Sequence, residues 1–79
     1  MLTKQRRKRR TRHLVLTAVV HKEGRWHVAE CPEVGTISQG RTLDEAVKNL
    51  REATELYLEE FPPRQVGRPL LTTFEAAYA

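Results

Sequence analysis

The sequence predicts a small α+β domain with the element order β-β-β-α-β, in which a mostly antiparallel sheet carries one helix on one face. Three observations predict this class. Short segments rich in β-branched residues alternate with glycine-bearing turns, a long amphipathic stretch with a helix-start signal follows, and an apolar run comes last. Since 79 residues cannot hold two independent cores, we expect a single domain.

The first two strands are predicted to form a hairpin. Leu14–His21 is rich in Leu, Val and Thr, and the polar loop 22–25 contains a glycine that tolerates positive φ. Trp26–Cys31 is the return strand. Because side chains alternate along a strand, one face carries Trp26, Val28 and Glu30 and the other carries His27, Ala29 and Cys31.

A turn and a short third strand come next. Pro32 lacks the N–H group that a sheet ladder requires, so it ends the second strand. Residues 33–35 form the turn, and Thr36–Gln39 is the third strand, which Gly40 closes.

The helix has the strongest local signal. Thr42 and Glu45 fit a capping box, in which Glu45 reaches back to the backbone N–H of Thr42. Pro62 and Pro63 end the helix near Phe61. Its apolar stripe consists of Leu43, Ala46, Val47, Leu50, Ala53, Thr54, Tyr57, Leu58 and Phe61.

After a polar connector over residues 64–69, Leu70–Tyr78 is predicted as the fourth strand because it is an extended-looking run of Leu, Thr, Phe and Tyr. Ala76 and Ala77 leave a helical end as the alternative.

Charge divides the chain into a basic arm over residues 1–12, with a net charge of +7, and a domain over residues 13–79, with a net charge of −3. Like charges repel each other, so we expect the basic arm to be disordered. Two interpretations stay open: non-specific contact with nucleic-acid phosphates, or a solvated tail or over-long start of the reading frame. The basic residues concerned are Lys4, Arg6, Arg7, Lys8, Arg9, Arg10 and Arg12.

The sequence favours a cytoplasmic protein. The apolar residues 14–20 are not followed by a small-residue cleavage site, and the apolar content is too scattered for a membrane span. One cysteine excludes an internal disulfide and suits a reducing compartment.

No catalytic constellation is recognisable, so we expect neither an enzyme nor a cofactor or metal. A zinc site built from His21, His27 and Cys31 would lack a fourth ligand and matches no usual spacing. A metal-dependent nuclease would need converging acids. The candidates Glu23, Glu30, Glu33 and Asp44 are explained by their loop, strand, turn and helix-start positions.

One helix covers only one face of a sheet, which leaves Trp26 and Val28 on the other face without a partner. A tryptophan on such a surface is a typical interface anchor. We therefore expect another molecule to cover this face, with a second copy of the chain as the simplest candidate and the choice between dimer and tetramer open.

Several short motifs follow one another over residues 14–61. They are Trp26, Val28-Ala29, Cys31-Pro32-Glu33, Ser38-Gln39-Gly40, Thr42, Glu45-Ala46, Asn49-Leu50, Glu52-Ala53 and Leu56-Tyr57-Leu58. The order and spacing of these motifs, rather than any one of them, resemble the HicB family of antitoxins.

The resemblance implies a partial ribonuclease-H-like fold without that enzyme's active site. It also implies a partner, a small HicA-type toxin that cleaves mRNA, which the antitoxin neutralises by masking its active site. The leading hypothesis is thus a non-catalytic, oligomeric antitoxin whose acidic domain presents Glu30 and Glu33 beside Trp26 and Val28. The rival hypothesis is a nucleic-acid-binding protein that uses the basic arm.

Overall fold

A computed structural model describes residues 12–63 and 68–79 of the chain. It contains strands β1 (Val19–Glu23), β2 (Trp26–Cys31) and β3 (Thr36–Gly40), followed by helix α1 (Leu43–Glu60). The strands form one antiparallel sheet in the order β1-β2-β3. The predicted class, a small α+β domain with an open sheet and one helix, is confirmed.

A tight turn connects β1 and β2. Glu23 pairs with Trp26, so the loop consists of Gly24 and Arg25 alone. Gly24 has a φ of +64°, and Arg25 does not share the positive φ. A glycine at the first central position is typical of the type II′ turn, whose twist matches that of the flanking strands.

Helix α1 begins as the sequence predicts, with one difference at the cap. Thr42 is the N-cap, and its hydroxyl accepts a hydrogen bond of 3.0 Å from the Glu45 backbone N–H. The Glu45 carboxylate accepts from the backbone N–H of Arg41 rather than from that of Thr42. The last turn closes where Phe61 donates its N–H to the Tyr57 carbonyl.

The core lies between α1 and the sheet face that carries Ala29 and Cys31. Ala46 and Leu50 complete it from the helix side. Leu16, Val20 and Val34 pack around its border. Gly40 permits the close approach of the helix, because a Cβ at this position would lie 2.6 Å from the Ala46 backbone nitrogen.

β1 begins at Val19 and not at Leu14 as predicted. Continuing the β1–β2 register would place Thr17 opposite Pro32, which has no N–H to donate. The Thr17 backbone N–H instead binds the Glu33 carboxylate. The ladder therefore stops, and residues 12–18 leave the sheet.

The fourth strand predicted over Leu70–Tyr78 does not form within this chain. Residues 68–79 contain no helix, turn or bend and pair with no strand of the described sheet, and the alternative helical end is also not found. The strand pattern is present, but a strand is stable only beside a partner. No helix in residues 12–63 and 68–79 combines the length and the apolar content that a membrane span requires.

Candidate binding surface

The side chains of the sheet that point away from α1 form a surface that we call the open face. Pairing in the sheet fixes its members, because residues opposite each other share a face. The open face consists of Val19, His21, Glu23, Trp26, Val28, Glu30, Ile37 and Gln39. The structure thus brings three predicted interface residues together, namely Trp26, Val28 and Glu30.

One row of the open face places a carboxylate between two apolar side chains. Glu30 pairs with Val19 on one side and with Ile37 on the other. Val19 is 40% exposed and Ile37 is 61% exposed. A charge that is flanked by apolar groups interacts more strongly with an approaching opposite charge than one surrounded by water does.

Trp26 and Arg41 mark another row of the same surface. The Arg41 guanidinium carbon lies 5.1 Å from the centre of the Trp26 ring, which is cation–π distance. Trp26 remains 37% exposed. The ring therefore contacts Arg41 on one side and still presents area to a partner.

Val19 and Ile37 belong to this surface and Arg41 adjoins it, although the sequence pattern did not predict any of the three as interface residues. The signal for Ile37 and Val19 was the strand register, which puts both opposite Glu30. That register depends on the lengths of two turns, and these follow from the positive φ of Gly24 and Gly35.

Glu33 does not join the open face. Its carboxylate accepts hydrogen bonds from the Thr17 backbone N–H, at 2.9 and 3.0 Å, and from the Thr17 hydroxyl, at 2.8 Å. Partial desolvation acts to raise the pKa of Glu33, but the donors of Thr17 hold it below its ordinary value. This carboxylate ties residues 12–18 to the turn after β2.

The residues of the considered zinc site lie on two sides of the sheet. His21 pairs with Val28 on the open face, whereas His27 and Cys31 face α1. The Nδ1 atom of His27 is buried and has no hydrogen-bond partner among the described residues. Within residues 12–63 and 68–79, no three His, Cys, Asp or Glu side chains are placed to share a metal ion.

The carboxylates considered for a nuclease site are also distributed over different parts of the fold. Glu23 binds the His21 ring at 2.9 Å on the open face, which also carries Glu30. Glu33 binds Thr17, and Asp44 lies in the first turn of α1, where an acid stabilises the helix dipole.

Cys31 is enclosed in the core. The side chain is 1% exposed and its Sγ lies 3.4 Å from the Glu33 carboxylate. Burial raises the pKa of the Cys31 thiol. The backbone N–H of Val34 lowers this pKa, but the negative charge of Glu33 raises it further, and the net shift is upward. The thiol is therefore protonated at neutral pH and shielded from reagents.

A groove of about 410 Å³ runs between residues 12–18 and α1. Leu14 and Leu16 line it from the chain segment, and Val47 and Leu58 line it from the helix. Arg12 is the one member of the basic arm that the structure describes, and it lies at this groove. The other predicted nucleic-acid contacts, Lys4 to Arg10, lie outside the described residues.

The chain is similar to a UPF0150 protein of Helicobacter pylori (strain J99 / ATCC 700824), with 39% identity over 46 residues. The match covers 57% of this chain and 64% of that protein, so the chain spans less than two thirds of the relative's length. No family model matches the chain, and no solved structure gives a significant match.

Proposed function

We propose that this protein is a HicB-like antitoxin that acts in the cytoplasm, binding a small HicA-type ribonuclease and masking its active site without turnover of its own. The observation that carries the proposal is the open face, an exposed, partly apolar surface with Glu30 between Val19 and Ile37. The HicB-like motifs over residues 14–61 supply the partner class. The name of the UPF0150 relative states no activity, so it supports the likeness alone.

Charge favours such a partner. A ribonuclease that binds RNA must present basic groups to phosphates, whereas residues 13–79 of this chain carry a net charge of −3. Opposite charges accelerate association and align the two surfaces. Glu30 can therefore pair with a basic group that would otherwise bind the RNA backbone.

Apolar contact supplies the remaining part of the binding. Trp26, Val28 and Ile37 lie on the same face, and tryptophan is one of the residue types enriched among the anchors of binding surfaces. The Arg41 guanidinium lies over the Trp26 ring before binding, and this contact favours one orientation of the ring by about 0.5–1 kcal/mol, as exposed cation–π pairs do.

The test measures binding and inhibition of the small ribonuclease whose reading frame adjoins this one. We expect Glu30→Lys and Trp26→Ala to weaken binding by at least about tenfold, as truncation of an interface anchor does. The matched controls are Glu52→Lys and Leu56→Ala, which change an acid and an exposed apolar residue on α1, away from the open face. Both controls should neutralise like the parent protein.

Two results would reject the proposal. One is full ribonuclease activity in the presence of saturating protein, and the other is cleavage of RNA by the purified chain itself when a divalent ion is added. Removal of residues 1–12 distinguishes the antitoxin proposal from the rival hypothesis of nucleic-acid binding through the basic arm. An antitoxin should still neutralise the ribonuclease without the basic arm, whereas an arm-dependent protein should lose its affinity for RNA.

A further inference from the structure

Residues 70–78 have the side-chain pattern of a strand and lie exposed. Leu70, Phe74 and Tyr78 are 91%, 89% and 96% exposed. In an extended chain these three residues project to one side, together with Thr72 and Ala76, while Glu75 projects to the other. A soluble domain normally buries large apolar side chains of this kind.

The backbone of this segment is also without a partner in the described structure. Its one hydrogen bond runs from the Thr72 hydroxyl to the Thr73 carbonyl, and it pairs with no strand of its own chain. A segment with β-branched and aromatic residues, no helix and free N–H and C=O groups is suited to pair with a sheet edge.

The edge formed by β1 offers matching free groups. Glu23 and Trp26 flank a two-residue turn, so they form a hydrogen-bonded pair. Hydrogen-bonded and non-hydrogen-bonded pairs alternate along an antiparallel ladder, so the N–H and C=O groups of Val20 and Lys22 point away from β2. None of these outward groups has a backbone partner in the residues that the structure describes.

The opposite edge, formed by β3, has one of its outward groups occupied by the helix. The Asn49 amide of α1 donates a hydrogen bond of 2.9 Å to the Gln39 carbonyl. The Thr36 and Thr54 hydroxyls, 2.6 Å apart, also join β3 to the helix, on the sheet face that packs against α1. The Asn49 side chain therefore competes with a strand that would add at β3, whereas no such side chain among the described residues binds the outward groups of Val20 and Lys22 at β1.

We propose that residues 70–78 of a second copy of this chain pair with the outer edge of β1, and that two copies exchange these segments reciprocally around a twofold axis. In the structure the segment stands clear of its own sheet, so each chain presents one unpaired strand and one unpaired edge. Two copies satisfy both at once, which is the general route of strand exchange. Lys22 on β1 supplies the charge opposite to Glu75, the one charged residue of the segment.

Proline variants at the two sheet edges test the acceptor, with mass measured by analytical ultracentrifugation. Lys22→Pro removes an outward N–H without breaking a β1–β2 hydrogen bond and should raise the dimer dissociation constant by at least about tenfold. Ile37→Pro is the matched control. Ile37 pairs with Glu30 at a position where the β2–β3 ladder is not hydrogen-bonded, so its N–H points outward at the β3 edge. This variant should remain a dimer.

Variants of the segment test the donor. Leu70→Ser combined with Phe74→Ser changes two exposed residues, so the fold of the monomer should be unaffected while the dimer dissociates. Leu56→Ser, which changes an exposed apolar residue on α1, is the control and should leave the dimer intact. Mixing the Lys22→Pro chain with the segment variant should restore part of the dimer, since one intact donor and one intact acceptor then meet.

Three results would overturn the inference: a monomeric parent protein at high micromolar concentration, a dimer that Ile37→Pro dissociates and Lys22→Pro does not, or a mixture that stays monomeric. Slow amide exchange at Val20 and Lys22 in a monomer would show that the segment folds onto its own chain. These measurements need no ribonuclease, so their failure is independent of the antitoxin proposal.

Discussion

The carboxylate of Glu33 binds both the backbone N–H and the hydroxyl of Thr17, which precedes it by sixteen residues. It ties residues 12–18 to the turn after β2, at the point where Pro32 ends the β1–β2 ladder and the Thr17 N–H has no partner in it. Substituting Glu33 with Ala removes the acceptor and should release residues 12–18. We expect the Thr17 amide to exchange with solvent at least about tenfold faster, measured by hydrogen exchange with NMR detection.

The control for this release is Glu30→Ala, which removes an exposed carboxylate that makes no hydrogen bond or ion pair with residues 12–63 and 68–79. Exchange at Thr17 should be unchanged in it. Equal exchange in the Glu33→Ala variant and the parent protein would show that the Thr17 contact does not hold the segment in solution.

The same contact predicts an acid-sensitive contribution to stability. Because the donors of Thr17 lower the pKa of Glu33 in the folded state below the ordinary value of 4.5, the unfolded chain takes up the proton first as the pH falls. The contribution is therefore complete above that ordinary value and is lost as the pH falls through the lower, folded-state pKa.

Thermal unfolding of the parent protein and Glu33→Gln over a range of pH checks this dependence. The parent should be the more stable of the two at pH 7, and the difference between their melting temperatures should close towards pH 3. The comparison cancels the other acids, which are common to both chains. A difference that persists unchanged at pH 3 contradicts a role for the ionised carboxylate.

The Thr17–Glu33 contact also shows where the sequence is insufficient. Patterns within a few residues predict the N-cap at Thr42, the strand Trp26–Cys31 and the placement of Glu30 and Cys31 on opposite faces of that strand. The structure agrees with all three predictions. Glu33 looked equally suited to an interface, because its partner is distant in sequence. Leu70–Tyr78 has the side-chain pattern of a strand, but that pattern does not show whether the free edge of another strand lies close enough to pair with it.

Gly40 should not tolerate a side chain. A Cβ at this position would lie 2.6 Å from the Ala46 nitrogen and 2.8 Å from the Glu45 carbonyl carbon, and both are backbone atoms of the first helical turn. Gly40→Ala should therefore push α1 away from β3 and lower the free energy of unfolding by about 1–3 kcal/mol, measured by urea denaturation.

Gly24→Asn is the comparison for Gly40→Ala. Gly24 has a φ of +64°, which Asn tolerates better than other side chains do, and a Cβ there meets no atom within 4 Å. Its effect should be the smaller of the two. A larger loss of unfolding free energy for Gly24→Asn than for Gly40→Ala would contradict the close contact between Gly40 and the first turn of α1.

Cys31 should react slowly with thiol reagents. It is buried, and its raised pKa keeps the thiolate fraction small at neutral pH. Alkylation by iodoacetamide at pH 7.5 should be at least about tenfold slower in the folded protein than in the urea-unfolded chain. Glu33→Gln removes the negative charge beside the sulfur and should accelerate the reaction in the folded protein. Equal rates for folded and unfolded chains would contradict the burial of Cys31.

The Thr36 and Thr54 hydroxyls, 2.6 Å apart, form a polar link between β3 and α1 at the edge of the core. Thr54 is buried, so without the Thr36 hydroxyl its own hydroxyl would have neither this protein partner nor water to bind. Thr36→Val should therefore lower the free energy of unfolding by about 1 kcal/mol. The double change to Val at both positions should cost less than the two single changes together, because no unpaired hydroxyl then remains. Urea denaturation of the four proteins gives the coupling energy directly, and strictly additive losses would mean that the two hydroxyls do not bind each other in solution.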